Sequence, residues 1–151
     1  MDNIDKKILK ILSENANMPT TEISAAVNLS VPAVNKRISK LRENNTVRSF
    51  TIITDGEKVS KPILAFILVV ARYNDGVEAL MELIEKDIDV LECYAVTGEY
   101  DYILKVSTKD VKELENKLLL YKRQKCVLKS YTMLSLMEHK FQSAILPDIT
   151  E

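Results

Sequence analysis

Two hydrophobic periods divide this chain. From Ile4 to Leu41 the apolar residues recur three and four positions apart, the spacing of helices that each bury one stripe. Beyond Val47, short runs rich in Val, Ile, Tyr and Thr alternate with two further helical segments. The first part is expected to be helical and the second mixed, with no repeat of solenoid length in either.

In the first part Asp2 can cap a helix whose stripe is Ile4, Ile8, Ile11 and Leu12, leaving Asp5, Lys6, Lys7 and Lys10 in water and ending near Asn15. A short second helix opens at about Pro19 to Thr21 and offers Ile23, Ala26 and Val27 to the same core, with Glu22 near its positive end. Asn28 stops it, being one of the few side chains that tolerates the left-handed conformation. Ser30 then caps a third helix, with Pro32 in its first turn, that runs to about Asn44 and buries Val31, Val34, Ile38 and Leu41.

A rotation of about 100° per residue puts Pro32, Ala33, Lys36, Ser39 and Lys40 opposite that stripe, with Asn35 and Arg37 on its flanks. A helix, a short turn and a second helix with a small and then basic outer face form a helix-turn-helix, whose second helix enters the major groove. In such an arrangement Pro32 and Ala33 would allow close approach, Asn35, Lys36 and Ser39 are expected to reach base edges, and Lys40, Arg42 and Arg48 to sit near phosphates. Periodicity alone leaves open a solvated face that binds nothing.

The second part reads as a linking strand, Val47 to Thr54, a loop with Asp55, Gly56 and Pro62, and then strand, helix, strand, strand, helix, strand. The first of these strands spans Ile63 to Arg72; a helix from Gly76 to Lys86 buries Val77, Leu80, Met81 and Ile84. Leu91 to Thr97 and Tyr100 to Ser107 form a hairpin around Gly98 and Glu99. A helix from about Thr108 to Tyr121 buries Val111, Leu114 and Leu118, and Val127 to Met137 is the last strand. That order is the ferredoxin-like βαββαβ unit. Leu64, Phe66, Leu68 and Val70 alternate with Ile63, Ala65, Ile67 and Val69, so both faces of the first strand are apolar, and a second copy of the chain is the economical cover for the face its helices leave open.

Charge sharpens the division. Residues 1–50 carry eight Lys and Arg against five Asp and Glu, the remainder thirteen against seventeen, so a mildly basic module precedes an acidic body and the whole chain has net charge -1. The longest apolar run, Ile63 to Ala71, is too short to span a bilayer, and the N-terminus lacks the features of a secretory signal; a cytoplasmic protein is expected. Cys93 and Cys126 have no zinc-ligand spacing and read as two small core residues, and His139 has no second histidine with which to hold a metal. Gly56, Gly76 and Gly98 stand alone, so no phosphate-cradling loop exists. No cofactor or metal is expected, and a ferredoxin-like enzyme is disfavoured for want of an acid/base or nucleophile constellation.

Three segments, Asp2 to Leu12 (DNIDKKILKIL), Leu29 to Leu41 (LSVPAVNKRISKL) and Thr97 to Val106 (TGEYDYILKV), stand in an order and spacing that resemble the Lrp/AsnC (feast/famine) family of prokaryotic transcription regulators over essentially the whole chain. The resemblance implies an α+β protein: an N-terminal helix-turn-helix (winged-helix-like) domain joined to a C-terminal ferredoxin-like domain that dimerises, often assembles further, for instance to an octamer, and in many members senses an amino acid. The expected division is 1–46 for DNA binding, 47–61 as linker strand and loop, 62–140 for effector binding and oligomerisation, and 141–151 as a tail whose Ile145, Leu146 and Ile149 are free to pack on a neighbouring subunit.

Double-stranded DNA is then the expected partner of Ser30, Pro32, Ala33, Asn35, Lys36, Arg37, Ser39, Lys40 and Arg42, with Arg37 open between a phosphate contact and an internal ion pair. Gly98, Glu99, Tyr100 and Asp101 form the turn where, by resemblance, the effector binds: a glycine turn offers amides to a carboxylate and an aspartate receives an ammonium group. The chain departs from the family pattern at Pro19, Asn28, Asn45 and Ser49, which alters caps and turns, and YKRQKCVLKS lacks the usual Pro-Gly turn. The alternative function is a small-molecule-sensing regulatory subunit whose helical domain binds protein.

Overall fold

The computed structural model describes residues 1–72 and 76–148. The chain groups into two units, Met1–Ile53 with Lys140–Glu151, and Thr54–His139.

The first unit holds α1 (Asn3–Glu14), α2 (Thr20–Val27) and α3 (Val31–Glu43). Each boundary has a local cause. The Asp2 carboxylate accepts the Asp5 amide at 2.9 Å while the Asp5 carboxylate accepts the Asp2 amide at 3.2 Å, a reciprocal cap that satisfies two otherwise orphaned donors. Asn28 ends α2 at φ 54° and ψ 46°, the left-handed conformation expected of it. Ser30 caps α3 through its hydroxyl, which accepts the Ala33 amide.

Ile8, Ile23, Val27, Val34 and Leu41 form the buried centre, with Ile4, Ile11, Leu12 and Ile38 packed around it. Ala26, expected in that core, is exposed instead. The stripe of α2 is centred between Ile23 and Val27, and Ala26 lies about 80° from that line with a side chain too short to reach back. Asp5 and Lys6, expected in water, are both half-buried.

Val47 to Thr54, expected as a linking strand, pairs with no strand among the described residues. Ile52 and Ile53 are exposed there. β-forming residues supply the propensity, but a strand exists only through a ladder partner. The tail folds back on its own unit: the Lys6 ammonium donates to the Asp148 carbonyl at 2.6 Å. Leu146 is half-buried, Ile145 is fully exposed and Ile149 lies outside the described residues.

The second unit contains β1 (Ile63–Ala71), α4 (Val77–Lys86), β2 (Val90–Ala95), β3 (Tyr102–Thr108), α5 (Val111–Lys122) and β4 (Val127–Leu134). The sheet order is β2-β3-β1-β4 with every pair antiparallel, the ferredoxin-like arrangement. Period-2 alternation fixes which side is buried: Ala65, Ile67, Val69 and Ala71 of β1 join Tyr102, Leu104 and Val106 of β3 in one core with Val77, Leu80 and Ile84 of α4 and Leu114 and Tyr121 of α5. β4 stops at Leu134, short of the expected Met137; Leu136 and Met137 are exposed. Val111, expected in the core, begins α5 and is exposed, because the buried line of that helix runs through Leu114, Leu118 and Tyr121. Of the two cysteines only Cys126 is buried; Cys93 on the edge strand β2 is exposed.

A network of polar groups closes one end of this core. Lys117 pairs with Asp87 at 2.6 Å and with Asp89 at 3.0 Å, the Tyr121 hydroxyl donates to Asp87 at 2.8 Å, and Lys61 pairs with Asp89. Burial and the Asp87 carboxylate together push the Tyr121 phenol far above its ordinary value, so it stays a hydrogen-bond donor.

Candidate nucleic-acid interface and effector turn

The outer side of α3 is built by the same periodicity that buries Val34 and Leu41. Pro32, Asn35, Lys36, Ser39 and Lys40 are exposed along it, with Ala33 half-covered at its N-terminal end. Ser30 is occupied by its capping bond. Arg42 lies over the Phe50 ring at 5.9 Å, a contact that aims its guanidinium from the end of the helix.

Of the two roles left open for Arg37, the structure shows the internal ion pair. The guanidinium pairs with Asp2 at 2.6 Å and Asp5 at 2.7 Å. The cause is the reciprocal cap on α1, which gathers two carboxylates at one helix end within reach of the flank of α3. The Asp5 hydrogen bond leads in raising the Arg37 pKa, and the Asp5 amide and Arg37 hold the Asp2 carboxyl below its usual range. Arg37 thus ties α3 to α1, and Lys36 and Lys40 remain as the cations on the middle of the exposed face.

In the second unit, Gly98 turns the chain between β2 and β3 at φ 117°, a backbone conformation that glycine alone adopts without strain. Among the described residues, the amides of Gly98, Glu99 and Tyr100 donate to no group of the chain. Asp101 is held on three sides: its amide donates to the Val69 carbonyl at 2.9 Å, its carbonyl accepts the Val96 amide at 2.9 Å, and its Oδ2 accepts the Ala71 amide at 2.8 Å.

The turn also meets β4. Lys129 pairs with Glu99 at 3.1 Å and lies 5.6 Å from the centre of the Tyr100 ring, contacts that raise its pKa, the Glu99 hydrogen bond first. Sequence reasoning missed Lys129, since thirty residues, with β3 and α5 among them, separate it from the Glu99 it meets. The register that pairs Val70 with Lys129 is the signal, and it exists only after the sheet order is known. These groups offer the two halves of an amino-acid site: amides and an ammonium group for a carboxylate, and carboxylates for an ammonium.

A separate cleft of about 360 Å³ in the first unit is lined by Ser13, Glu14, Ile53 and, from the tail, Phe141, Gln142, Ser143, Ala144 and Leu146. Glu14 is the only charged group in that lining, so the cleft offers no cation to the carboxylate of an amino acid. No metal-binding cluster of His, Cys, Asp and Glu occurs among the described residues. No helix of the described residues is long and apolar enough to cross a membrane.

Residues 1–48 match the family described as winged helix-turn-helix DNA-binding, and residues 64–145 match the Lrp/AsnC ligand binding domain. An HTH-type transcriptional regulator from Pyrococcus horikoshii is 39% identical over 140 residues, 93% of this chain and 92% of that one. The regulatory protein AsnC of Haemophilus influenzae is 28% identical over 118 residues, 78% of this chain and 79% of its own. Among solved structures, a Neisseria meningitidis transcriptional regulator in complex with L-methionine superposes with a TM-score of 0.91 at 29% identity, covering 96% of both chains. A feast or famine regulatory protein from M. tuberculosis, also complexed with L-methionine, has a TM-score of 0.85 at 25% identity over 97% of this chain and 99% of that one.

Proposed function

This chain belongs to the Lrp/AsnC family of transcriptional regulators, and we propose that it reads operator DNA with α3, pairs with a second copy through its open sheet face, and responds to an amino acid bound at the Gly98 to Asp101 turn. The observation that carries the DNA reading is the division of labour on α3: Arg37 is consumed by Asp2 and Asp5, while Lys36 and Lys40 stand exposed beside Asn35 and Ser39. The reading assigns DNA contacts to Pro32, Ala33, Asn35, Lys36, Ser39, Lys40 and Arg42, a capping role to Ser30, and a helix-joining role to Arg37. It gives the chain no catalytic step and places it in the cytoplasm, where its operator is.

The effector reading draws on the chemistry of the turn and on the two relatives solved with L-methionine. The carboxylate of an amino acid would meet the amides of Gly98 to Tyr100, with Lys129 beside them, and its ammonium the unshared oxygen of Asp101. Self-association draws on the apolar face that the helices leave uncovered, where Phe66, Leu68 and Val70 lie beside Ile103, Tyr131 and Met133. Higher assemblies, up to an octamer, would build on that dimer.

The test is the salt dependence of binding to duplex DNA, whose slope counts the phosphates neutralised. A steep slope that is reduced in the Lys36→Ala/Lys40→Ala chain supports the reading. No binding to duplex DNA at low salt, with or without added amino acids, overturns it and leaves a regulatory subunit whose helical unit binds protein.

A further inference from the structure

The open face of the sheet is not apolar throughout. Its β1 and β4 half presents Leu64, Phe66, Leu68 and Val70 with Tyr131 and Met133, but on the other half Lys105 of β3 stands with Phe66 opposite it on one side and Glu92 of β2 on the other. The Lys105 ammonium is 3.1 Å from Glu92 Oε1, and the Tyr94 hydroxyl donates to Glu92 Oε2 at 2.7 Å. The Lys105 side chain keeps only 20% of its exposure and that of Glu92 39%. A pair so placed adds little to the stability of a lone chain, because water still screens it. Its effect grows when another surface covers the face, since desolvating two charges is costly unless the covering surface supplies polar partners.

We propose that Glu92, Lys105 and Tyr94 select the partner on this face, admitting a second copy of the chain whose own trio lies against this one and disfavouring a sheet that is apolar at those positions. The inference rests on the reading that two copies meet through this face. A two-fold pairing has two broad choices for an off-centre polar patch. Laid on the partner's apolar half, each trio loses water to Phe66 and Met133 and gains no hydrogen bond. Laid on its own counterpart, it forms a neutral set of two carboxylates, two ammonium groups and two phenols that share donors and acceptors, while apolar halves cover one another. Hydrogen bonds from Tyr94 and then Lys105 hold the Glu92 carboxyl below its usual range against the opposing effect of burial, so it enters the interface charged. Specificity of this kind comes from penalising the wrong partner as much as from attracting the right one.

The test is subunit exchange between full-length wild type and a full-length Glu92→Leu/Lys105→Met chain, each with a different mass tag, read by native mass spectrometry at equilibrium. Mixed dimers at least about threefold below the statistical proportion are expected, with both chains dimeric on their own. Statistical mixing overturns partner selection. If the double variant does not fold, Glu92→Gln/Lys105→Gln takes its place with the same two outcomes. Phe66→Lys in the wild-type background separates the two levels: a dimer that survives it shows that the copies meet elsewhere and overturns both readings, whereas loss of the dimer together with statistical exchange overturns partner selection alone.

Discussion

Asp101 Oδ2 accepts the backbone amide of Ala71 at 2.8 Å, so the aspartate of the β2–β3 turn closes the end of β1 where that strand leaves the sheet. One carboxylate oxygen is therefore structural, and the proposed effector reading gives the other to a ligand's ammonium. Asp101→Asn keeps an oxygen for the Ala71 amide but removes the charge. It should leave unfolding nearly unchanged and weaken amino-acid binding by a factor of about 30 or more. Asp101→Ala should lower the unfolding free energy by about 1–3 kcal/mol, because the Ala71 amide loses its acceptor. Calorimetric titration with the twenty amino acids and urea unfolding separate the two roles. Equal binding by wild type and Asp101→Asn would move the site away from this turn.

Acid should loosen the second unit through Asp89. Burial pushes this carboxyl up, but hydrogen bonds and charge from Lys61 and Lys117 outweigh it and hold the group below its ordinary value, with Asp87 and Tyr121 completing the cluster around Lys117. A carboxyl whose folded pKa is depressed stabilises the fold fully above the unfolded value of about 3.9, and that contribution is lost as pH falls through the folded value. Urea unfolding of wild type from about pH 6 down to pH 2 should show that loss. In Asp89→Asn the curve should be flatter below pH 4 and lower at neutral pH, by on the order of 1–2 kcal/mol. The same acid dependence in both chains would remove Asp89 from the account.

The helix ends, the order of strands and the identity of the buried stripes were legible in the sequence because their causes are local. Asp2, Asn28 and Ser30 act on backbone groups within a few residues, and the stripe Val34, Ile38 and Leu41 follows from helical pitch. What the sequence hid was non-local. Arg37 meets carboxylates thirty-two and thirty-five positions away, Lys117 meets Asp87 at thirty, and Lys129 meets Glu99 at thirty. No period announces such pairs, because they depend on how elements pack. Val111 and Ala26 misled for a different reason: each falls near an apolar stripe whose places are already filled by longer side chains closer to its axis. In the turn between β2 and β3 Gly98 and Asp101 were legible as a motif, but the bond from Ala71 to Asp101 needs the adjacent strand.

Gly56 is needed for space. A Cβ placed on it would lie 2.7 Å from the Lys61 carbonyl oxygen, a backbone atom that also accepts the Ser107 hydroxyl at 2.7 Å. The turn is closed by the Lys61 amide, which donates to the Gly56 carbonyl at 2.7 Å, so neither side can yield without losing a hydrogen bond. Gly56→Ala should therefore cost about 1–3 kcal/mol in urea unfolding. Ser107→Ala, which removes one of those bonds without adding bulk, should cost less. Unchanged stability in Gly56→Ala would show that the turn relaxes freely.

The two kinds of cation on α3 predict opposite phenotypes. Lys36 and Lys40 are exposed on the outer face, so replacing both by alanine should leave thermal unfolding near that of wild type. If each neutralises one phosphate, the slope of log binding constant against log salt should fall in magnitude by roughly 2, and affinity should drop on every duplex, specific or not. Arg37 pairs with Asp2 and Asp5 at the start of α1, so Arg37→Ala should lower the melting temperature of the helical unit. It should reduce DNA affinity only through that loosening, with the salt slope unchanged under conditions where the variant is folded. Lysine at the same position should restore part of the stability, since it keeps the charge but its ammonium is more strongly hydrated than the guanidinium whose Nη1 meets both carboxylates. Fluorescence anisotropy across a salt series, alongside thermal melts of the same proteins, reads both quantities. A fall in slope for Arg37→Ala equal to that of one lysine would return Arg37 to the DNA interface.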